Sequence, residues 1–190
     1  MPLPDPKSRR EPLHRRTIYL VPRKREDGLY DIEGRLLYRK DVEFPVGGRR
    51  LAPGDAVHDM WLRITVDRDL RIVACAASTD SMPYIGECDR IAPDYRKLIG
   101  LSIGPGYLRH VKELLGSVRG CTHITELAGS LATAAFQTFA GQGLSPADRR
   151  PPQLDRCHAL EAHGPAVARF YPKWYRGAAP EDGAGPTENH

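Results

Sequence analysis

The sequence predicts an α+β fold, an antiparallel β-meander with helices packed on one face. Three observations predict it. The first half of the chain reads as short alternating segments joined by tight turns, the second half as apolar residues at helical spacing, and no long crossover connects the strands.

Thr17 to Val21 is the first strand candidate. Asp27-Gly28 is a turn signal, and Leu29 to Leu36 alternates apolar with polar, so a returning strand follows. Pro45 to Gly54 is rich in Gly and Pro and reads as a loop. Met60-Trp61-Leu62-Arg63-Ile64-Thr65-Val66 alternates again, Asp67 to Asp69 turns the chain, and Leu70 to Ala77 returns. Strands this close in sequence pair antiparallel through short connections. Pro93 to Leu98 looks like one helical turn. Pro105 opens a helix with Leu108, Val111, Leu114 and Leu115 on one face, ended by Gly116. Thr122 to Phe139 is the longest helix candidate, with Ile124, Leu127, Leu131, Ala135 and Phe139 at helical spacing. After a loop from Gly141 to Pro152, a last helix is expected near Cys157 to Tyr171, broken at Gly164-Pro165.

The prolines at 2, 4, 6 and 12 mark residues 1–14 as an arm, and the Gly/Pro/Glu-rich stretch 177–190 reads as a disordered tail. A single α+β domain is therefore expected over 15–176. With 190 residues, 41% hydrophobic and 27% charged, the composition is that of an ordinary globular protein. No apolar run approaches the ~20 residues needed to cross a bilayer, and the first residues lack an apolar signal core, so a cytoplasmic location and no membrane partner are expected. Cys75, Cys88, Cys121 and Cys157 then read as thiols or ligands instead of disulfides. The net charge of +4 gathers around Arg9, Arg10, Arg15, Arg16, Arg23, Lys24 and Arg25. A solvated tail and a charged strand edge account for this cluster; no RNA- or DNA-binding motif accompanies it, so nucleic acid is an unexpected partner.

Three segments place a metal-capable side chain at the edge of an element. His58 and Asp59 precede the strand Met60–Val66, Cys121 stands at the start of the longest helix with His123 close behind, and Cys157-His158 opens the last helix. Imidazole and thiolate are preferred zinc ligands and suit iron. A helix N-terminus favours a thiolate at Cys121. Taken singly, a buried small cysteine and a surface or capping histidine explain each residue as well. Cys75, among Ala74, Ala76 and Ala77, belongs in the core, and Cys88 lies in a loop beside Glu87 and Asp89.

From His58 to about Tyr171 the order of motifs resembles the U-type iron–sulfur scaffold family (IscU/NifU). Met60 to Val66 matches its M-x-L-x-I-x-V strand, and His58 falls where the family's metal-site Asp stands. Gly120-Cys121 and the echoing Ser130-Leu131-Ala132-Thr133 match its second motif. Cys157-His158-Ala159-Leu160 resembles the third with the His and Cys order reversed. The family's first Cys falls near Ala56, so one thiolate is absent. These departures imply one divalent ion, zinc in preference to iron, held by His58, Cys121 and the Cys157-His158 pair. Nearly the whole chain, from Arg15 to Gly177, also resembles the bacterial domain of unknown function 2889 family. The phrases are Glu26 to Gly34, His58 to Arg63, Arg96 to Leu101, Ile103 to Gly106, Gly120 to His123 and Cys157 to Leu160. That resemblance implies a place beside aromatic-compound catabolism, some members acting as lyases on lignin-derived aromatics.

The expected function is thus a metal-dependent lyase on a small aromatic substrate, of the retro-aldol type that releases formaldehyde. The metal acts as Lewis acid and Asp59, His123 or Glu126 moves the proton. Tyr30, Trp61, Tyr84 and Tyr107 are the candidate pocket walls, and Arg96 and Lys97 the candidate partners of a phenolate or carboxylate. Ordinary core packing explains those aromatics equally, and surface charge the basic pair. The alternatives are an iron–sulfur or metal carrier and a closed structural zinc site.

Overall fold

The computed structural model describes residues 3–139, 150–151 and 153–177. Its contacts fall into two compact units, Met1–Ala135 and Phe136–His190, within the span that the sequence marks as one domain.

In the first unit four long strands form one antiparallel sheet: β1 His14–Lys24, β2 Tyr30–Lys40, β5 Ala56–Val66 and β6 Ile72–Ser81. Their order is β1-β2-β5-β6, each strand beside its neighbour, as short connections require. All run longer than the alternation in the sequence suggests. Between β2 and β5, almost wholly within the stretch expected to be loop, Phe44–Val46 (β3) and Arg49–Leu51 (β4) pair into a small hairpin.

Period-two alternation sorts the sheet into two faces. On β2 the even residues Tyr30, Ile32 and Leu36 are buried, and on β5 Met60, Leu62, Ile64 and Val66 join them. Ile72 and Cys75 of β6 are buried in the same core. A 3-10 helix over Asp89–Leu98, with Pro93 inside it, replaces the expected single turn and buries Tyr95 and Leu98. Then come α1 Tyr107–Leu115, starting two residues after Pro105, and α2 Thr122–Phe139, with the bounds the sequence predicts. Ile124, Leu127, Ala128 and Leu131 of α2 are fully buried.

Helix and sheet come close at Gly34. A Cβ there would stand 3.1 Å from Leu131, 3.2 Å from Leu20 and 3.3 Å from Leu127, so the absent side chain lets α2 lie against β2. Four guanidinium groups of the basic cluster are occupied by carboxylates. Arg15 pairs with Asp41, Arg16 with Glu126, Arg23 with Glu33, and Arg25 with Asp27 and Asp31.

In the second unit a 3-10 turn at His158–Leu160 precedes α3 Pro165–Phe170, which starts at Gly164-Pro165, where the sequence places a break. Asp155 organises the turn by accepting the Ala162 N–H at 2.7 Å. Residues 3–13 carry no regular element. Most of the loop from Gly141 to Pro152, and the tail from residue 178, lie outside the described residues. Among the described residues no helix is long and apolar enough to cross a membrane.

Candidate functional site

Strand register builds one corner of the first unit. Arg16, Tyr38 and His58 face each other across β1, β2 and β5, and their even positions turn them to the helix-covered face. The start of α2 lies over this corner and brings Cys121, His123 and Glu126. The His58 and His123 rings stack with centroids 3.8 Å apart and planes inclined by 30°. Tyr38 follows at 5.7 Å from His58, and His14 meets Tyr38 edge-on at 5.3 Å, so four rings form a row. Cys121 Sγ lies 3.8 Å from His123 Nδ1.

The charges around the row are arranged against protonation. Burial, then the neighbouring His123, then the Arg16 guanidinium push the His58 imidazole down to about 4. Burial and Arg16 lower His123 as well, against an opposing pull from Glu126. Both rings are therefore neutral near pH 7, the state in which imidazole binds metal. Arg16 is held by Glu126 through two parallel contacts, one of them 2.9 Å (Nη1 to Oε1).

The start of α2 is tied down from two sides. A Cβ on Gly120 would fall 2.2 Å from the Leu115 carbonyl oxygen, so the chain passes Leu115 only as glycine. The Tyr95 hydroxyl, in a fully buried side chain, accepts the Cys121 N–H at 3.0 Å. It also lies 2.8 Å from the Cys121 carbonyl oxygen and 2.7 Å from Thr125 Oγ1.

The expected site residues distribute unevenly. His58, Cys121 and His123 come together. Asp59, next to His58 in sequence, does not: strand alternation sends it to the opposite face, where Arg35 grips it at 2.8 and 2.6 Å. Glu126 lies one helical turn past His123. Tyr30 and Tyr107 are core residues, 1% and 3% exposed, with the Tyr107 hydroxyl directed to the Ala128 carbonyl oxygen. Trp61 stands on the opposite sheet face, under Arg35, and donates its indole N–H to Asp80. Tyr84 is exposed. Arg96 and Lys97 end the 3-10 helix, with Lys97 bound to Asp94. Strand parity thus puts Trp61 on the face away from His58, and core packing accounts for Tyr30 and Tyr107. Cys157 and His158 belong to the second unit, where Cys157 is exposed and precedes the 3-10 turn. Arg16, Tyr38, His14 and Tyr95 were not singled out by motif. Continuing the even-numbered face of β2 two residues past Leu36 would have found Tyr38.

The donors suit a metal ion in two respects. His58 Nδ1 is buried and has no hydrogen-bond partner in the described structure, an arrangement that normally costs free energy and that a ligand would relieve. Two ligands of one tetrahedral zinc stand ~3.5 Å apart, near the 3.8 Å between Cys121 Sγ and His123 Nδ1. Among the described residues no group of three or more His, Cys, Asp or Glu side chains is already gathered for an ion. The stack explains this: a metal sits in the plane of an imidazole, and stacked rings share a face, so one ring must turn before both reach a single ion.

A search of the curated proteins and a search of the solved structures returned no match. A family model described as protein of unknown function (DUF2889) matches residues 14–137, which span the sheet, α1, nearly all of α2 and the histidine corner. The chain thus belongs to the DUF2889 family.

Proposed function

We propose that the His58–His123–Cys121 corner is a divalent-metal centre, zinc in preference to iron, in an enzyme that acts as a lyase on a small aromatic substrate. The observation that carries this reading is the 3.8 Å approach of Cys121 Sγ to His123 Nδ1 beside the unpartnered His58 nitrogen. Cys121 and His123 would hold the ion first, and His58 would join by turning its ring. When bound, the ion supplies Lewis acidity, lowering the pKa of a hydroxyl on the substrate.

The residues around it have distinct tasks. Glu126 is the carboxylate whose charge His123 feels, and it is the candidate proton carrier in place of Asp59. Arg16 orients Glu126. Tyr38 and His14 present ring faces and edges beside His58, where a planar substrate can stack. In a retro-aldol cleavage the substrate's O–H bond breaks, its electrons form the C=O of formaldehyde, and the C–C pair passes to the aromatic fragment, which takes up a proton.

A second reading, a metal carrier with an IscU/NifU-like core, is favoured by the same thiol at a helix start. Metal analysis of freshly purified protein separates the two. One colourless zinc per chain, lost in Cys121→Ser, supports the enzyme centre. A brown chromophore with acid-labile sulfide supports the carrier. Unchanged metal content in Cys121→Ser and His123→Ala rejects both.

A further inference from the structure

We infer that Tyr95 is a positioning residue whose hydroxyl sets where the Cys121 thiol stands. The inference rests on the metal reading only for its last arm.

A helix start leaves backbone N–H groups without intrahelical partners, and Ser, Thr, Asp or Asn usually supplies the missing oxygen from the capping position. Here Cys121 takes that position: its carbonyl accepts the first helical bond, from Thr125 N–H at 2.9 Å, and its side chain carries no oxygen. The N–H of Cys121 itself, which a Glu or Gln at the third helical position binds in a capping box, has only Ile124 there and is met from 26 residues away. The Tyr95 hydroxyl accepts the Cys121 N–H, and its single proton is shared between the Cys121 carbonyl at 2.8 Å and Thr125 Oγ1 at 2.7 Å. The Thr125 hydroxyl in turn donates to the Leu115 carbonyl at 3.3 Å, the same carbonyl that Gly120 passes closely. Residues 120 and 121 are thus fixed along their backbone, leaving the cysteine one side-chain torsion to choose. Burial holds the phenol protonated, pushed up to about 12, so it keeps its proton to donate. The ring itself is wedged in the core and fully buried. Removing only the hydroxyl therefore leaves the packing in place.

The test compares Tyr95→Phe with Tyr107→Phe in the full chain. Tyr107 is the matched control: another buried phenol under α2, whose hydroxyl reaches Ala128 and not Cys121. In metal-free protein, amide hydrogen exchange at Cys121 and alkylation of its thiol, located by peptide mass spectrometry, should each change by ~10-fold or more in Tyr95→Phe, the scale of one lost buried hydrogen bond. Both should stay near wild type in Tyr107→Phe. Thr125→Val, which removes one partner of the phenol, should give a smaller change in the same direction, and it serves if Tyr95→Phe does not fold. With Co²⁺ as probe, the thiolate-to-cobalt band should shift and affinity should fall by ~10-fold in Tyr95→Phe. Wild-type exchange and alkylation in both Tyr95→Phe and Thr125→Val overturn the inference, as does an equal change in Tyr107→Phe. If wild type binds no Co²⁺, the metal reading fails and the metal-free arms decide alone.

Discussion

Acid should destabilise this protein through His58, and the size and window of the effect follow from the stacked corner. The folded state favours the neutral ring, because burial, His123 and Arg16 all oppose a charge there. In the unfolded chain the ring titrates near its ordinary 6.5. The unfolded state therefore binds the proton first as pH falls, and stability declines with it. The contribution is intact above about 6.5, is lost progressively below it, and levels off below about 4. The gap between these values sets a ceiling of ~3 kcal/mol. His58 is only half-buried, and solvent screening reduces this to ~1–2 kcal/mol. His123 shifts in the same direction and adds to the decline. The assay is urea denaturation of metal-free wild type and His58→Gln from about pH 7 to about pH 4. Wild type should lose ~1–2 kcal/mol more than the variant across that range. A constant gap between the two curves, or a His58 ring proton that titrates by NMR near 6.5, refutes the reasoning.

Four further outcomes are expected. Gly34→Val places two methyl groups beyond a Cβ already 3.1–3.3 Å from three leucines, and should cost ~1–3 kcal/mol by denaturation; a variant as stable as wild type would show that α2 shifts freely. Asp59→Ala leaves the Arg35 guanidinium without its two carboxylate contacts in a partly buried site, and should cost ~1–3 kcal/mol. Glu126→Ala breaks the more exposed pair with Arg16 and should cost only ~0–1 kcal/mol; the opposite ranking of the two would refute the burial argument. Leu127→Ala empties a fully buried position of α2 and should cost ~2–5 kcal/mol, read from the denaturant midpoint.

The parts of the fold legible in the sequence are those with a period. β5 and β2 announced themselves by alternation, and α2 by its apolar spacing between Cys121 and Phe139. The β3-β4 hairpin was not legible, because two three-residue strands around Gly47-Gly48 are too short to show alternation and read as loop chemistry. Of the long 3-10 helix only Pro93 to Leu98 was legible, because proline reads as the start of a helix and Asp89 to Ala92 as part of the loop ahead of it. At the site, residue type pointed to His58, Cys121 and His123, and their approach follows from where α2 crosses the sheet. Asp59 neighbours His58 in sequence but not in space, since Met60 in the core puts His58 on the inner face and Asp59 on the outer. Tyr30 followed the same rule into the core. Arg16 read as one charge in a basic run, since nothing local reveals that its partner, Glu126, lies 110 residues onward.

That separation has a consequence for how the first unit holds together. The corner joins its beginning to its end, β1 and β5 to the opening of α2, through an exposed ion pair and a ring stack, both weak fastenings. A ligand bridging strand and helix there would act as a clasp on the whole unit. At a thousand times its dissociation constant it would raise the free energy of opening by ~4 kcal/mol, with no new packing anywhere else.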